Sequence, residues 1–330
     1  MGWFRRFLPS LLLLGLLGLL VSFPLSAADS QCVWTGIEKV VAIGDLHGDY
    51  DHFVKILRGT RLVDGDLHWT GDKTHLVQMG DIMDRGDEAR KILGLLRKLE
   101  TEAAAAGGQI HVILGNHEEM NITGFVFNFQ DYVTVPQFVS FLPDKYRRDK
   151  EKEFGKKNGG RGDINAFWEA LMKEQEAKDV YTENFNLLYG RWLTDQSAVI
   201  KINDVVFVHG GINEFYSKMK LEEINALYHD EFKKSFRGDI FRPKILFAED
   251  GPLWNRDLAA QADEAQIDQI LANLGAKHII VAHTPVLVWE NMSRFGGKVW
   301  IVDTGISSVY GGHLSALIIE GEHFAVWGKE

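Results

Sequence analysis

An α/β fold with strands buried on both faces is what this 330-residue sequence predicts, on three observations. Short apolar runs rich in β-branched residues recur along the chain, each stops abruptly at polar residues, and helical patterns lie between them. The first run is KVVAIGDLHGD (39–49), and the second, HLVQMGDIMDRGD (75–87), leads into a helical pattern from Glu88 to Ala106 with Leu93, Leu96 and Leu99 set among charges. HVILGNHEE (111–119) is the third strand signal. The next stretch, about 121–200, differs in character. It holds the charge run DKYRRDKEKEFGKKNGGRGD (144–163) and then INAFWEALMKEQEAKDVY, an amphipathic pattern. It reads as a helical insertion that packs beside the strand edge and shapes access to it, with the RGD at 161–163 a loop. VVFVHGG (205–211), HIIVAHT (278–284) and KVWIVDTG (298–305) complete the series. No repeat or low-complexity linker divides 29–330, which therefore reads as one catalytic domain.

Composition narrows the class. With 45% hydrophobic and 25% charged residues the chain is of globular type. The formal net charge is -10, which repels polyanions and argues against nucleic acid as a partner. Residues 1–28 carry a basic start (Arg5, Arg6), a Leu-rich stretch and small residues at Ser26, Ala27 and Ala28, the pattern of a cleaved signal peptide. The expected location is thus exported, periplasmic or secreted in a bacterium. The competing reading is an uncut membrane anchor, the only membrane contact the sequence suggests. Cys32 is the sole cysteine, so no intramolecular disulfide forms. A cysteine-dependent phosphatase would need an arginine six positions on, where Glu38 stands. Cys32 is expected to be an incidental thiol.

Open α/β sheets bind ligands outside the carboxyl ends of their strands. That rule gathers Asp45, His47, Asp81, Asn116, His209 and His283 at one edge. A single Asp or His at a strand end is ordinarily a turn former; a compatible ligand set on five strand ends is not explained that way. Oxygen and imidazole donors without thiolates suit Mn, Fe or Zn. Two Asp, one Asn and three His exceed what one tetrahedral ion needs and divide over two divalent ions. Asp81 is the candidate to bridge them, since a carboxylate can offer one oxygen to each. Two ions about 3.5–4 Å apart lower the pKa of a shared water and clamp an in-line phosphoryl displacement.

The motifs GDLHG (44–48), GDIMDRG (80–86), GNHE (115–118), HGG (209–211) and the isolated His283 resemble the signature of the calcineurin-like metallophosphoesterases. The tighter GDxxDRG and GNHE forms are similar to the PPP-type protein phosphatases, and GDLHGDYD (44–51) with DGPLWNRD (250–257) most to the Shewanella-like phosphatases. The resemblance implies an α-β-β-α sandwich of two mixed sheets flanked by helices. It implies Asp45, His47 and Asp81 on one metal and Asp81, Asn116, His209 and His283 on the other. Arg85 then grips phosphate, as does Arg256 on a less rigid motif. His117 resembles the general acid, oriented by Asp84, while hydroxide held at the metals attacks phosphorus directly. Glu118 would support its neighbours by hydrogen bonds, and Glu119 would be solvated. The implied activity is a metal-dependent phosphomonoesterase acting on a phosphorylated protein or peptide, with phosphotyrosine preferred. Two alternatives stand beside it. A bis(5′-nucleosyl) tetraphosphatase shares several motifs, and a non-catalytic phosphate-binding protein would lack a ligand or the acid. The other histidines take structural readings, with His313 in YGGHL the one that could approach the site.

Overall fold

A computed structural model describes residues 31–157, 162–287 and 292–328, so the predicted signal peptide lies outside the described residues. Two sheets form the centre. One has strand order β1-β5-β6-β7-β9-β8, the other β11-β10-β2-β3-β4. The strands are β1 (Val33–Trp34), β2 (Lys39–Ile43), β3 (His75–Gln78), β4 (Gln109–Val112), β5 (Val199–Ile202), β6 (Val205–Val208), β7 (His278–Val281), β8 (Ser293–Arg294), β9 (Val299–Ile301), β10 (Ala316–Glu320) and β11 (His323–Trp327). The helices are α1 (Tyr50–Gly59), α2 (Ala89–Ala106), α3 (Asn116–Thr123), α4 (Val135–Phe141), α5 (Asp144–Lys157), α6 (Ile164–Leu171), α7 (Gln175–Phe185), α8 (Arg191–Leu193), α9 (Glu214–Ser217), α10 (Leu221–Phe236), α11 (Asp257–Ala260) and α12 (Glu264–Leu274). Among the described residues no helix is long and apolar enough to cross a membrane.

All six predicted runs form strands. Each sheet holds three of them side by side and parallel: β2, β3 and β4 in one, β6, β7 and β9 in the other. Every residue of β3 and of β6 is buried, which is why those runs show no alternation. At the carboxyl ends of these strands two backbone contacts are ones that only glycine allows, the first between the triplets and the second within one of them. A Cβ on Gly44 would lie 2.2 Å from the Val302 carbonyl oxygen, and one on Gly115 would lie 2.4 Å from the Asp81 nitrogen. The glycines opening GDLHG and GNHE are therefore close-approach residues as well as turn formers.

Between 121 and 199 the described residues contain helices α4 to α8. The amphipathic stretch expected as one helix is two, since Glu174 is extended (φ -78°, ψ 135°) between α6 and α7. The break lets Trp168 and Leu171 of α6, and Tyr181 and Phe185 of α7, all become buried. The charge run builds α5, which buries none of its side chains and carries i,i+4 pairs such as Lys145–Asp149 at 2.7 Å. Of the RGD, Arg161 lies outside the described residues, and Asp163 caps α6 by accepting from the Asn165 and Ala166 amides. Cys32 is buried, and its carbonyl accepts from the Lys201 amide.

On the sheet that holds β2, β3 and β4, His111 Nε2 lies 2.9 Å from His75 Nδ1 with Trp34 packed edge-on against the pair. Burial, with the neighbouring His75 adding, pushes the His111 imidazole down to about 3. Burial likewise lowers His75. Between its ordinary value of 6.5 and about 3, the unfolded chain binds a proton at His111 that the folded chain does not. Stability is therefore lost as pH falls through that window, by up to about 1.4 kcal/mol per pH unit. Urea midpoints at pH 7 and pH 5 check this. Their separation should shrink in a His111→Gln variant relative to the wild type, and an unchanged separation would rule the histidine out as the cause.

Candidate active site

Each strand end contributes side chains to one place. Asp45 and His47 follow β2, Asp81 follows β3, Asn116 and His117 open α3 after β4, His209 follows β6, His283 follows β7 and Asp303 follows β9. The backbone there is strained: φ is 42° at His47, 51° at Asp81, 67° at Asp84, 69° at Arg85 and 64° at His283. Non-glycine residues in this region cost of order 1–3 kcal/mol each and persist where packing overdetermines them. Hydrogen bonds across the strand ends do so here. Leu46 and His47 amides both donate to the Asp81 carbonyl at 2.9 Å, and Glu118 accepts from the Gly115, Asp81 and Ile82 amides at 2.8–3.0 Å.

Asp81 sits at the centre with its two oxygens facing different neighbours. Oδ1 is 3.3 Å from His209 Nε2, while Oδ2 is 3.8 Å from His47 Nε2 and 3.9 Å from His117 Nε2. Two overlapping groups, His47–Asp81–His117 and Asp81–His209–His283, have donor atoms within 4.8 Å of one another and could each hold an ion. Asp45 lies beside both, 4.0 Å from His47 and accepting from the His283 amide.

The donor chemistry fits cations. His47 Nδ1 lies 3.0 Å from the Met83 carbonyl and His209 Nδ1 lies 2.7 Å from the Met79 carbonyl. Each Nδ1 thereby has an acceptor for its proton, which leaves Nε2 as the nitrogen that faces Asp81. Burial would lower His209, but the charge and hydrogen bond of Asp81 outweigh it and raise that imidazole, so an ion there would take the place of a proton. One end of the Asn116 amide lies 3.1 Å from His209 Nε2, 3.0 Å from His283 Nδ1 and 3.2 Å from Asp81 Oδ1, where its nitrogen would donate in a metal-free site and its oxygen would face an ion held among them. Converging lone pairs repel unless a positive charge sits among them. The buried His283 Nε2 has no hydrogen-bond partner. Burial lowers His47 to about 4, with the His117 charge adding to it, and burial also lowers His283, so both imidazoles are held neutral, the ligating form. Burial raises Asp45, reinforced by Asp303 and Asp81, and burial raises Asp303 to about 6. Packed acids of this kind are what a divalent ion would relieve.

His117 differs from its neighbours. Its Nδ1 is 2.7 Å from Asp84 Oδ2, and its ring stacks on Tyr132 with centroids 5.0 Å apart. Burial alone would lower it, but the Asp81 charge and the hydrogen bond and charge of Asp84 outweigh burial and raise it. The Arg85 guanidinium lies 3.9 Å above the Tyr132 ring, and its amide donates to the Tyr132 carbonyl at 2.7 Å. Arg256 donates through Nη1 to the His283 carbonyl and to Thr284 Oγ1. Asp45, His47, Asp81, Arg85, Asn116, His117, Arg256 and His283 all line one cavity of about 190 Å³, and Asp84 and His209 are buried directly behind it.

The cavity is also lined by five residues that the sequence did not assign to the site: Tyr132, Trp254, Pro285, Asp303 and Tyr310. Asp303 had a signal, being the polar end of a sixth apolar run, and Trp254 lies in DGPLWNRD beside Arg256; Tyr132, Pro285 and Tyr310 had none. Glu119 is a correction. It is fully buried rather than solvated, accepting from the Phe247 amide at 2.7 Å and from Trp254 Nε1 at 2.6 Å. Burial pushes its carboxyl up to about 8. Glu119 thus ties α3 to the segment bearing Trp254 and Arg256. His313 is held by its amide to the Gly305 carbonyl and does not line the cavity.

Two strand triplets delivering an oxygen and imidazole cage beside two arginines define a site for paired cations and a phosphate group. The chain belongs to the calcineurin-like phosphoesterases, whose family model matches residues 38–287; such enzymes normally use two divalent metals. It is 29% identical over 283 residues to the Shewanella-like protein phosphatase 1 of Plasmodium berghei, covering 83% of this chain and 68% of that protein. It is 32% identical over 265 residues to the Shewanella-like protein phosphatase 2 of Arabidopsis thaliana, covering 75% and 66%. Among solved structures it is similar to a cold-active protein-tyrosine phosphatase of a psychrophilic Shewanella, with TM-score 0.67 and 28% identity over 91% of this chain and 82% of that one.

Proposed function

We propose that this protein is a two-metal protein phosphatase that hydrolyses phosphotyrosine in preference to phosphoserine. The observation that carries the reading is the shared cavity, where the Asp81-centred donor set, Arg85, Arg256 and the His117–Asp84 pair open onto the same small space. Asp45, His47 and Asp81 would hold one divalent ion, and Asp81, Asn116, His209 and His283 the other, with Mn, Fe and Zn all suited to these donors. When bound, the ions supply Lewis-acid charge and an acidified water. Arg85 and Arg256 bind the phosphate oxygens. His117 gives a proton from Nε2 to the departing oxygen while Asp84 holds its Nδ1–H. Tyr132, Trp254 and Tyr310 give the cavity aromatic walls suited to an aryl group, and the tyrosine-phosphatase name of the Shewanella relative supports the same substrate. Residues 1–28 support export with cleavage after Ala27 or Ala28, readable from the N-terminus of the protein recovered outside the cytoplasm.

A substrate panel on Mn²⁺-reconstituted protein tests the reading. Phosphotyrosine peptides should turn over faster than phosphoserine peptides. The reverse order would remove the preference and leave the chemistry standing. Faster cleavage of diadenosine tetraphosphate than of any phosphopeptide would replace the phosphoprotein reading.

A further inference from the structure

We infer that the helical segment between 121 and 199 takes part in catalysis through Gln137 and Tyr181, positioning residues for the Asp84–His117 pair. The inference rests on the reading of His117 as proton donor. Asp84 is fully buried, in a left-handed turn, and every neighbour on its carboxylate donates. His117 Nδ1 and Asn121 Nδ2 reach Oδ2 at 2.7 and 2.9 Å, and Gln137 Nε2 reaches Oδ1 at 2.7 Å. Gln137 comes from α4, and its orientation is forced, because its Oε1 accepts from the Asp84 amide at 2.8 Å. The amide oxygen engages the Asp84 backbone and the amide nitrogen its side chain, so one residue clamps the strained turn and its carboxylate together.

Tyr181, from α7, closes the arrangement. Its hydroxyl donates to Asn121 Oδ1 at 2.7 Å and accepts from Gln137 Nε2 at 3.1 Å. The single hydroxyl proton therefore fixes the Asn121 amide with its nitrogen toward Asp84. Without it, the buried Asn121 Oδ1 loses the donor that holds it, and the amide that donates to Asp84 is free to shift and carry the carboxylate and imidazole with it. Asn121 stands one helical turn after His117 and also donates to the His117 carbonyl at 2.9 Å. The Tyr181 ring is itself held, stacked on Phe138 (centroids 5.6 Å apart, planes 9°) and edge-on to Phe127 and Phe141. A buried network with every member satisfied is rigid, and here it ends on a single imidazole.

Tyr181→Phe removes one oxygen atom and is the direct test, read on phenyl phosphate, a poor leaving group, and 4-nitrophenyl phosphate, a good one. We expect kcat on phenyl phosphate to fall about tenfold or more and on 4-nitrophenyl phosphate by less than about threefold, with KM unchanged, since only the poor leaving group depends heavily on proton donation. Gln137→Leu should give the same selective loss, which covers the case of a Tyr181→Phe chain that folds poorly. Adding Tyr181→Phe to His117→Asn should bring no further loss, because the effect passes through the imidazole. Equal losses on both substrates, or an undiminished loss in the His117→Asn background, would overturn the inference. A His117→Asn enzyme impaired equally on both substrates would overturn the proton-donor reading and this inference with it. Selective loss in His117→Asn but not in Tyr181→Phe or Gln137→Leu would overturn the inference alone.

Discussion

Replacing His117 with asparagine is expected to lower kcat on phosphotyrosine peptides by about 10²- to 10⁴-fold, the usual worth of a positioned general acid. The size follows from position. His117 is buried, aligned by Asp84 at 2.7 Å through Nδ1, and opens Nε2 onto the cavity that also holds Arg85 and Arg256. Asparagine can still take a hydrogen bond position near Asp84 but has no proton to give at neutral pH. Metal content measured by elemental analysis should stay at the wild-type ratio, since the proposed ligand set does not include this residue. Near-wild-type turnover would refute the assignment. A parallel fall in metal content would show His117 to be a ligand, as its place in the His47–Asp81–His117 group allows.

Asp81→Asn should have the other large effect. Its two oxygens face different donor groups, Oδ1 toward His209 and Oδ2 toward His47 and His117. A carboxamide keeps the shape but offers one oxygen and one N–H₂, so it cannot accept a cation on both sides, and it removes the central negative charge. Losing that bridge should forfeit several kcal/mol of charge stabilisation, about 10³-fold or more in kcal-equivalent rate. Bound metal should fall below two ions per chain. The melting temperature gives an independent readout, because an ion that binds only the folded state stabilises it by about 2.7 kcal/mol when present at a hundredfold its Kd. Chelation should therefore lower the wild-type melting temperature and change that of Asp81→Asn much less. Two ions retained by the variant would refute a bridging role.

Much of this site is legible in the sequence, and the reason is local. A strand buried on both faces needs an unbroken apolar run, so its end is marked by the first polar residue. Where Asp45, His47, Asp81, Asn116, His209 and His283 stand at such ends, the sheet rule alone gathers them. Gly44 and Gly115 are legible for the same reason, although the sequence shows them only as turn residues and not as points where two backbones meet. The split of the 164–185 stretch into α6 and α7 is not legible, because Glu174 is no helix breaker and the break serves burial on both sides.

Glu119 marks the limit of that locality. An acid after GNHE reads as solvated, and only the approach of Phe247 and Trp254, more than a hundred residues on, buries it and supplies its donors. Gln137 and Tyr181 are harder still, being ordinary residues of an amphipathic insertion until α4 and α7 pack against the turn at Asp84. What the sequence by itself determined was the chemical kind of each strand end, hence the cation and phosphate chemistry those ends can perform. What only the tertiary structure decided was which amide, hydroxyl or ring stands behind each of those groups. Such partners are selected by burial and hydrogen-bond geometry between segments distant in the chain, and neither leaves a local pattern.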